Sequence, residues 1–154
     1  YLPATLSVLS LADLVPRVDS AVTAELQRQL PDEDQDGWEM SAFLTAADAS
    51  LLLIGANGDV RRRVVLGVDM TDPDVSELPE SAADLADLPS VIGTISGVPW
   101  RAVVSIHVDE VAASAIVTAA LAGDDDAYEQ LGEVDLLWFH PTERTALAAG
   151  SAQA

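Results

Sequence analysis

Met40, Phe43, Leu44, Ala47, Leu51 and Ile54 recur at intervals of three and four residues, with Ser41, Thr45 and Asp48 on the other side. That period belongs to an amphipathic helix, predicted to open at Gly37 and to close at Gly55, with Asn57 and Gly58 making the turn that follows. The next segment, RRRVVLGVDM, changes period: Val64, Leu66 and Val68 share one side of an extended chain. A long half-apolar helix running directly into a strand has to pack back across it, so the chain needs a helix layer on a sheet layer.

The remaining segments fit that arrangement. Tyr1 to Ala4 reads as a strand with Pro3 at an edge or end, and a short helix starting at Thr5 or Ser7 stops before Pro16. Val18 to Thr23 reads as a second short strand, with Thr23 capping the helical turn AELQRQL. VIGTIS and RAVVSIHV are strand-like and are expected to form a hairpin around Gly97 and Pro99. DEVAASAIVTAALAG is helical up to Gly123, EVDLLWFH is the last strand, and the stretch 71–90 is an acidic loop without clear period. The expectation is one α+β domain over residues 1–143, a two-layer sandwich with a mixed or antiparallel sheet and helices on one face. A ferredoxin-like core with a helical insertion is the nearest template, and residues 144–154 are expected to fray.

Composition narrows function more than fold. The chain has 154 residues, 26 acids against 7 bases and no cysteine, for a formal net charge of −19. All seven bases are arginine. A field of that sign repels phosphate backbones and anionic lipid, so neither nucleic acid nor a membrane surface is an expected partner. Thiolate metal sites and disulfides are excluded outright. The most apolar run, around Ser50 to Gly55, is far shorter than the roughly 20 residues that span a bilayer, and no signal segment opens the chain, so a cytoplasmic location is expected.

Four groups of residues offer chemistry. Asp32, Asp34, Asp36 and Gly37 match positions 1, 3, 5 and 6 of a calcium loop, but position 12, where a bidentate Glu belongs, is Phe43. The residues after Gly37 also belong to the helical pattern, so an acidic linker with Asp34 or Asp36 as helix cap is the expected reading, and no metal is expected there. Ser105, His107 and Asp109 project to one side of a strand, and a metal-dependent hydrolase site built from His107 and Asp109 with His140 and Glu143 requires that the last strand lie alongside and that these side chains converge in one cleft. Without that convergence, Asp109 is expected to cap the following helix through the amide of Val111 or Ala112. Neighbours two apart on a strand do not aim at each other, which counts against a Ser-His-Asp triad.

Arg61, Arg62 and Arg63 form a basic cluster suited to a carboxylate or phosphate ligand, or to neutralising nearby acids. Trp100, beside Pro99 and Arg101, is the aromatic expected at an exposed partner contact, with a homodimer as one form of it, while Trp138 is expected in the core. With no strong catalytic motif, the function expected is non-enzymatic binding of a protein partner or small anionic ligand, without a cofactor. The alternative is the hydrolase built on His107, Asp109, His140 and Glu143.

YLPATLSVLSLADL, VVSIHVDEVAASA and DLLWF, at their spacing in this chain, resemble the DUF6912 family of actinobacterial proteins of unknown function. The resemblance covers most of the chain and implies a small cytoplasmic actinobacterial protein. It carries no activity, cofactor or site residue.

Overall fold

A computed structural model describes residues 1–15, 18–70, 75–76, 87–94 and 97–150 and has an α+β fold. Its strands are β1 Leu2–Ala4, β2 Val18–Ser20, β3 Val64–Val68, β4 Val75–Ser76, β5 Val91–Thr94, β6 Val103–Asp109 and β7 Leu136–Phe139. Its α-helices are α1 Ala24–Gln29, α2 Gln35–Asn57, α3 Ser114–Leu121, α4 Asp125–Gly132 and α5 Arg144–Ala148. The main sheet has the order β1-β3-β6-β7 and a smaller one the order β2-β5-β4. Every strand pair among the described residues is antiparallel.

That order departs from the ferredoxin-like template, a split β-α-β in which a crossover joins parallel strands. Here the main-sheet strands lie side by side in chain order, with the helices set into their connections. The expected hairpin of VIGTIS with RAVVSIHV also does not form, because β5 pairs with β2 and β4 while β6 pairs with β3 and β7. Val98 N–H instead donates to Leu14 O at 3.0 Å. Gly97 is needed at that crossing, since a Cβ there would lie 2.8 Å from the same oxygen. Most of the expected acidic loop, 71–74 and 77–86, lies outside the described residues.

Asp34 caps α2 by accepting from Gly37 N–H at 3.1 Å, and Gly58 closes it in the left-handed conformation at φ 66°. The helix is rotated from its expected face. Ala42, Ala46, Ala47, Ser50, Leu51 and Ile54 are buried, whereas Met40 and Leu44 are exposed. Small residues at 42, 46 and 50, one helical turn apart, admit the sheet more closely than a stripe of Met and Leu would. Ser50 uses the proximity: its Oγ donates to Ala4 O at 2.6 Å and accepts from Val64 N–H at 2.9 Å, stitching α2 to β1 and β3.

At 23 residues α2 is long and apolar enough, by length and composition, to cross a membrane, which the shorter run around Ser50 to Gly55 did not suggest. In this fold its N-terminal half covers Val65 with Ala46 and Ala47, and Leu51 and Ile54 join Val117 of α3 and Leu131 of α4.

The other sheet face is covered as well, contrary to the expected two layers. Leu2, Ala4, Val64, Leu66, Ile106 and Val108 pack there against Leu6 and Leu9 of a 3-10 turn, Leu6–Ser10, and against Leu14, Val98 and Leu147. The 3-10 turn stands where a short helix was expected. Leu147, on α5, is 1% exposed, so Arg144–Ala148 is part of the core and does not fray. A buried leucine on the last helical turn is enough to dock it. Residues 151–154 lie outside the described residues.

Candidate functional site

One side of β6 carries Ser105, His107 and Asp109, and packing divides them. Asp109 ends the strand wholly buried and accepts from Arg63: backbone N–H to Oδ2 at 2.7 Å, Nε to Oδ2 at 3.0 Å and Nη2 to Oδ1 at 2.9 Å. Arg62 Nε donates to Asp109 O at 2.7 Å. The guanidinium fork matches the carboxylate in two parallel bonds. Asp109 is therefore not the cap of the following helix: its oxygens are turned back toward β3. The Arg61 to Arg63 cluster is likewise turned inward at its last two members, with Arg62 5% and Arg63 1% exposed. Burial lowers the Arg62 pKa and Asp109 partly restores it. Arg63 neutralises a buried acid.

The proposed hydrolase donors do not meet. His140 is exposed and caps the 3-10 turn Pro141–Glu143, while Glu143 accepts from His140 N–H at 2.8 Å. His107 Nε2 lies 3.1 Å from Ser105 Oγ. Among the described residues no group of three or more His, Asp or Glu is placed to hold a metal ion. Asp32 and Asp36 flank the Asp34 cap, and Asp36 to Phe43 are helical, so the chain does not wrap an ion there.

Ser105 and His107 form the floor of an open groove of about 1200 Å³ between the N-terminal half of α2 and the β6–β7 edge. Gly67 leaves room for the Ser105 hydroxyl, because a Cβ at Gly67 would overlap Oγ. The pairing register shifts between Gly67 and Val68, so that Val104 is the extra residue on β6, and Val104 lines the groove. His107 is half-buried with its ring edge-on to Phe43 at 4.9 Å, and burial lowers its pKa. Tyr1 packs edge-on to Phe43 at 5.5 Å, and burial together with Glu39 raises its hydroxyl pKa.

Met40, Val104 and Trp138, each more than half exposed, and Leu44 give the groove an apolar wall. Its charged lining consists of Asp36, Glu39 and Asp135, with no arginine among the described residues. The two tryptophans differ from expectation in their exposure. Trp100 is half-buried against the core, donates Nε1–H to Leu11 O at 2.9 Å and stacks under Arg144 at 4.3 Å, while Arg101 beside it is exposed. Trp138 faces outward because β7 ends the sheet, a position that strand periodicity does not encode.

Met40, Leu44 and Trp138 were all legible as apolar residues. The signal for their exposure was the small-residue series Ala42, Ala46 and Ser50, which claims the sheet-facing side of α2 and displaces Met40 and Leu44 to its flank.

Neither the curated proteins nor the solved structures show a match to this chain. A family model, described as a family of unknown function, matches residues 1–148, from β1 to the end of α5. The chain belongs to the DUF6912 family.

Proposed function

We propose that this protein is a non-enzymatic binding protein of the cytoplasm, and that a protein partner seats in the groove between α2 and the β6–β7 edge. The observation that carries this reading is the convergence of Met40, Leu44, Val104 and Trp138 on one groove while small residues fill the adjoining core contact. Exposed apolar side chains gathered in one concavity mark interaction sites, whereas single ones do not. An anionic ligand fits less well, because the groove presents carboxylates and no arginine among the described residues, while Arg62 and Arg63 bond to Asp109.

The hydrolase alternative loses its support with Asp109 bound to Arg63 and His140 bound within its own turn. Ser105 and His107 remain adjacent, but the carboxylate that would orient the imidazole is consumed.

The test is affinity capture from the source cells, followed by purification of the captured protein and direct titration. Trp138→Ala is expected to weaken the purified complex by about tenfold or more, as for an aromatic anchor. Arg101→Ala, on a different surface, should leave it unchanged. Affinity indifferent to Trp138→Ala and to Met40→Ser would overturn the groove as the site.

A further inference from the structure

The two edges of the main sheet are treated differently. At β1 the chain carries Pro3, and Ser20 N–H donates to Tyr1 O at 2.9 Å, so the smaller sheet continues that edge. At β7 the outer edge pairs with no strand among the described residues. Natural sheets blunt free edges with charge, proline or a bulge. Leu136, Leu137, Trp138 and Phe139 supply none of these, and their apolar and aromatic character suits strand pairing.

We infer that β7 accepts an extended segment of the partner protein as a fifth antiparallel or parallel strand, and that this segment carries both apolar residues and Lys or Arg at the alternate positions that face the groove. The inference rests on the groove reading above and adds the conformation and charge of the occupant. Strand addition supplies main-chain hydrogen bonds for affinity, while alternate side chains enter the neighbouring groove for specificity. Apolar side chains of the added strand meet Trp138 and Met40, and cationic ones meet Asp36, Glu39 and Asp135. A second copy of this chain is disfavoured as occupant, because each copy carries a net charge of −19 and the same acidic rim.

The probe is a synthetic peptide of about ten residues in which every second position is in turn Val or Lys and the positions between are Thr, long enough to cover β7 at roughly 3.3 Å per residue. Its partners in the experiment are the same peptide with Glu for Lys, and the Lys peptide N-methylated at alternate amides to remove ladder donors. Calorimetry at about 50 mM and about 300 mM salt is expected to give a Kd on the order of 10 µM for the Lys peptide, weaker at the higher salt. Amide shifts should centre on residues 136–139. Trp138→Ala should weaken binding by about tenfold while leaving the amide spectrum of the free protein folded.

Equal binding of the Glu peptide overturns the charge assignment, and equal binding of the N-methylated peptide overturns strand addition. Absence of Lys-peptide binding, with capture of the natural partner still dependent on Trp138, removes this inference alone and leaves the groove reading in place. A dimer in light scattering that Trp138→Ala abolishes would assign the edge to a second copy and overturn the partner proposed.

Discussion

The two ends of β6 put polar groups to opposite uses. At Asp109 the carboxylate is buried among Arg62, Arg63 and backbone, and the protein's own donors saturate it. Two and four residues earlier, His107 and Ser105 face an open groove and bond mainly to each other. One strand face, one alternation and one row of polar side chains thus produce a sealed structural joint at one end and an accessible surface at the other. What separates them is cover. At the Asp109 end, Arg63 brings its long side chain over the carboxylate and Arg62 bonds the Asp109 carbonyl, and Arg63 Nη2 also reaches Val134 O. At the Ser105 end, Gly67 on the neighbouring strand has no side chain to close the space. A polar residue on a strand is therefore assigned to structure or to a surface by what the adjacent strand places beside it.

The comparison is most sharply tested at its sealed end. Asp109→Ala leaves Arg63 buried without its counter-charge, and breaking such a pair costs about 3–5 kcal/mol. Urea unfolding should show that loss in full, with groove binding altered only through the unfolded fraction. If Asp109→Ala unfolds like the parent protein, the joint is not the structural element its geometry describes. Replacing both partners by apolar residues of similar volume should cost much less than the single change, since no uncompensated charge remains.

Ser50 is a smaller instance of the sealed type. Ser50→Ala removes one hydroxyl and orphans both the Ala4 carbonyl and the Val64 amide, at a cost of about 1–3 kcal/mol. Hydrogen exchange should report it locally, with the amide of Val64 losing protection more than those of α4.

At the open end the expected effect on stability is the least and depends on pH. Burial holds the His107 pKa below its ordinary value of 6.5, so the unfolded chain binds the proton more readily than the folded one. Stability is then unaffected above the unfolded-state pKa and falls as pH drops from there through the lowered folded value. His107→Gln should remove that component, and the difference between the two stability curves isolates it from the carboxylates. A parent protein that instead loses stability relative to His107→Gln as pH rises would contradict the sign and with it the neutral, desolvated histidine.

Much of the secondary structure was legible in the sequence because local rules govern it. Thr23 caps α1 and Asp34 caps α2, each through bonds within a few residues, whereas α2 runs past the expected stop at Gly55 to Asn57. Strand alternation likewise put Val64, Leu66 and Val68 on one side of β3, and all three join one cluster. The candidate site was legible only in pieces. His107 was singled out, but with partners it does not have, and Trp138 was placed in the core while Trp100 was placed outside it.

Those errors share a cause. Residue spacing reports which side of an element a residue occupies and says nothing about what lies over that side. By itself the sequence determined the caps of α1 and α2, the alternation of the central strands, the strong negative charge and the absence of thiol chemistry. The tertiary structure alone decided that Asp109 belongs to Arg63, that Leu147 docks the last helix, and that β7 ends the sheet with Trp138 exposed. The first set follows from contacts within a few residues or from composition. The second depends on strand order and on the close approach of α2 through Ala42, Ala46 and Ser50, which arise only when distant segments compete for the same buried surface.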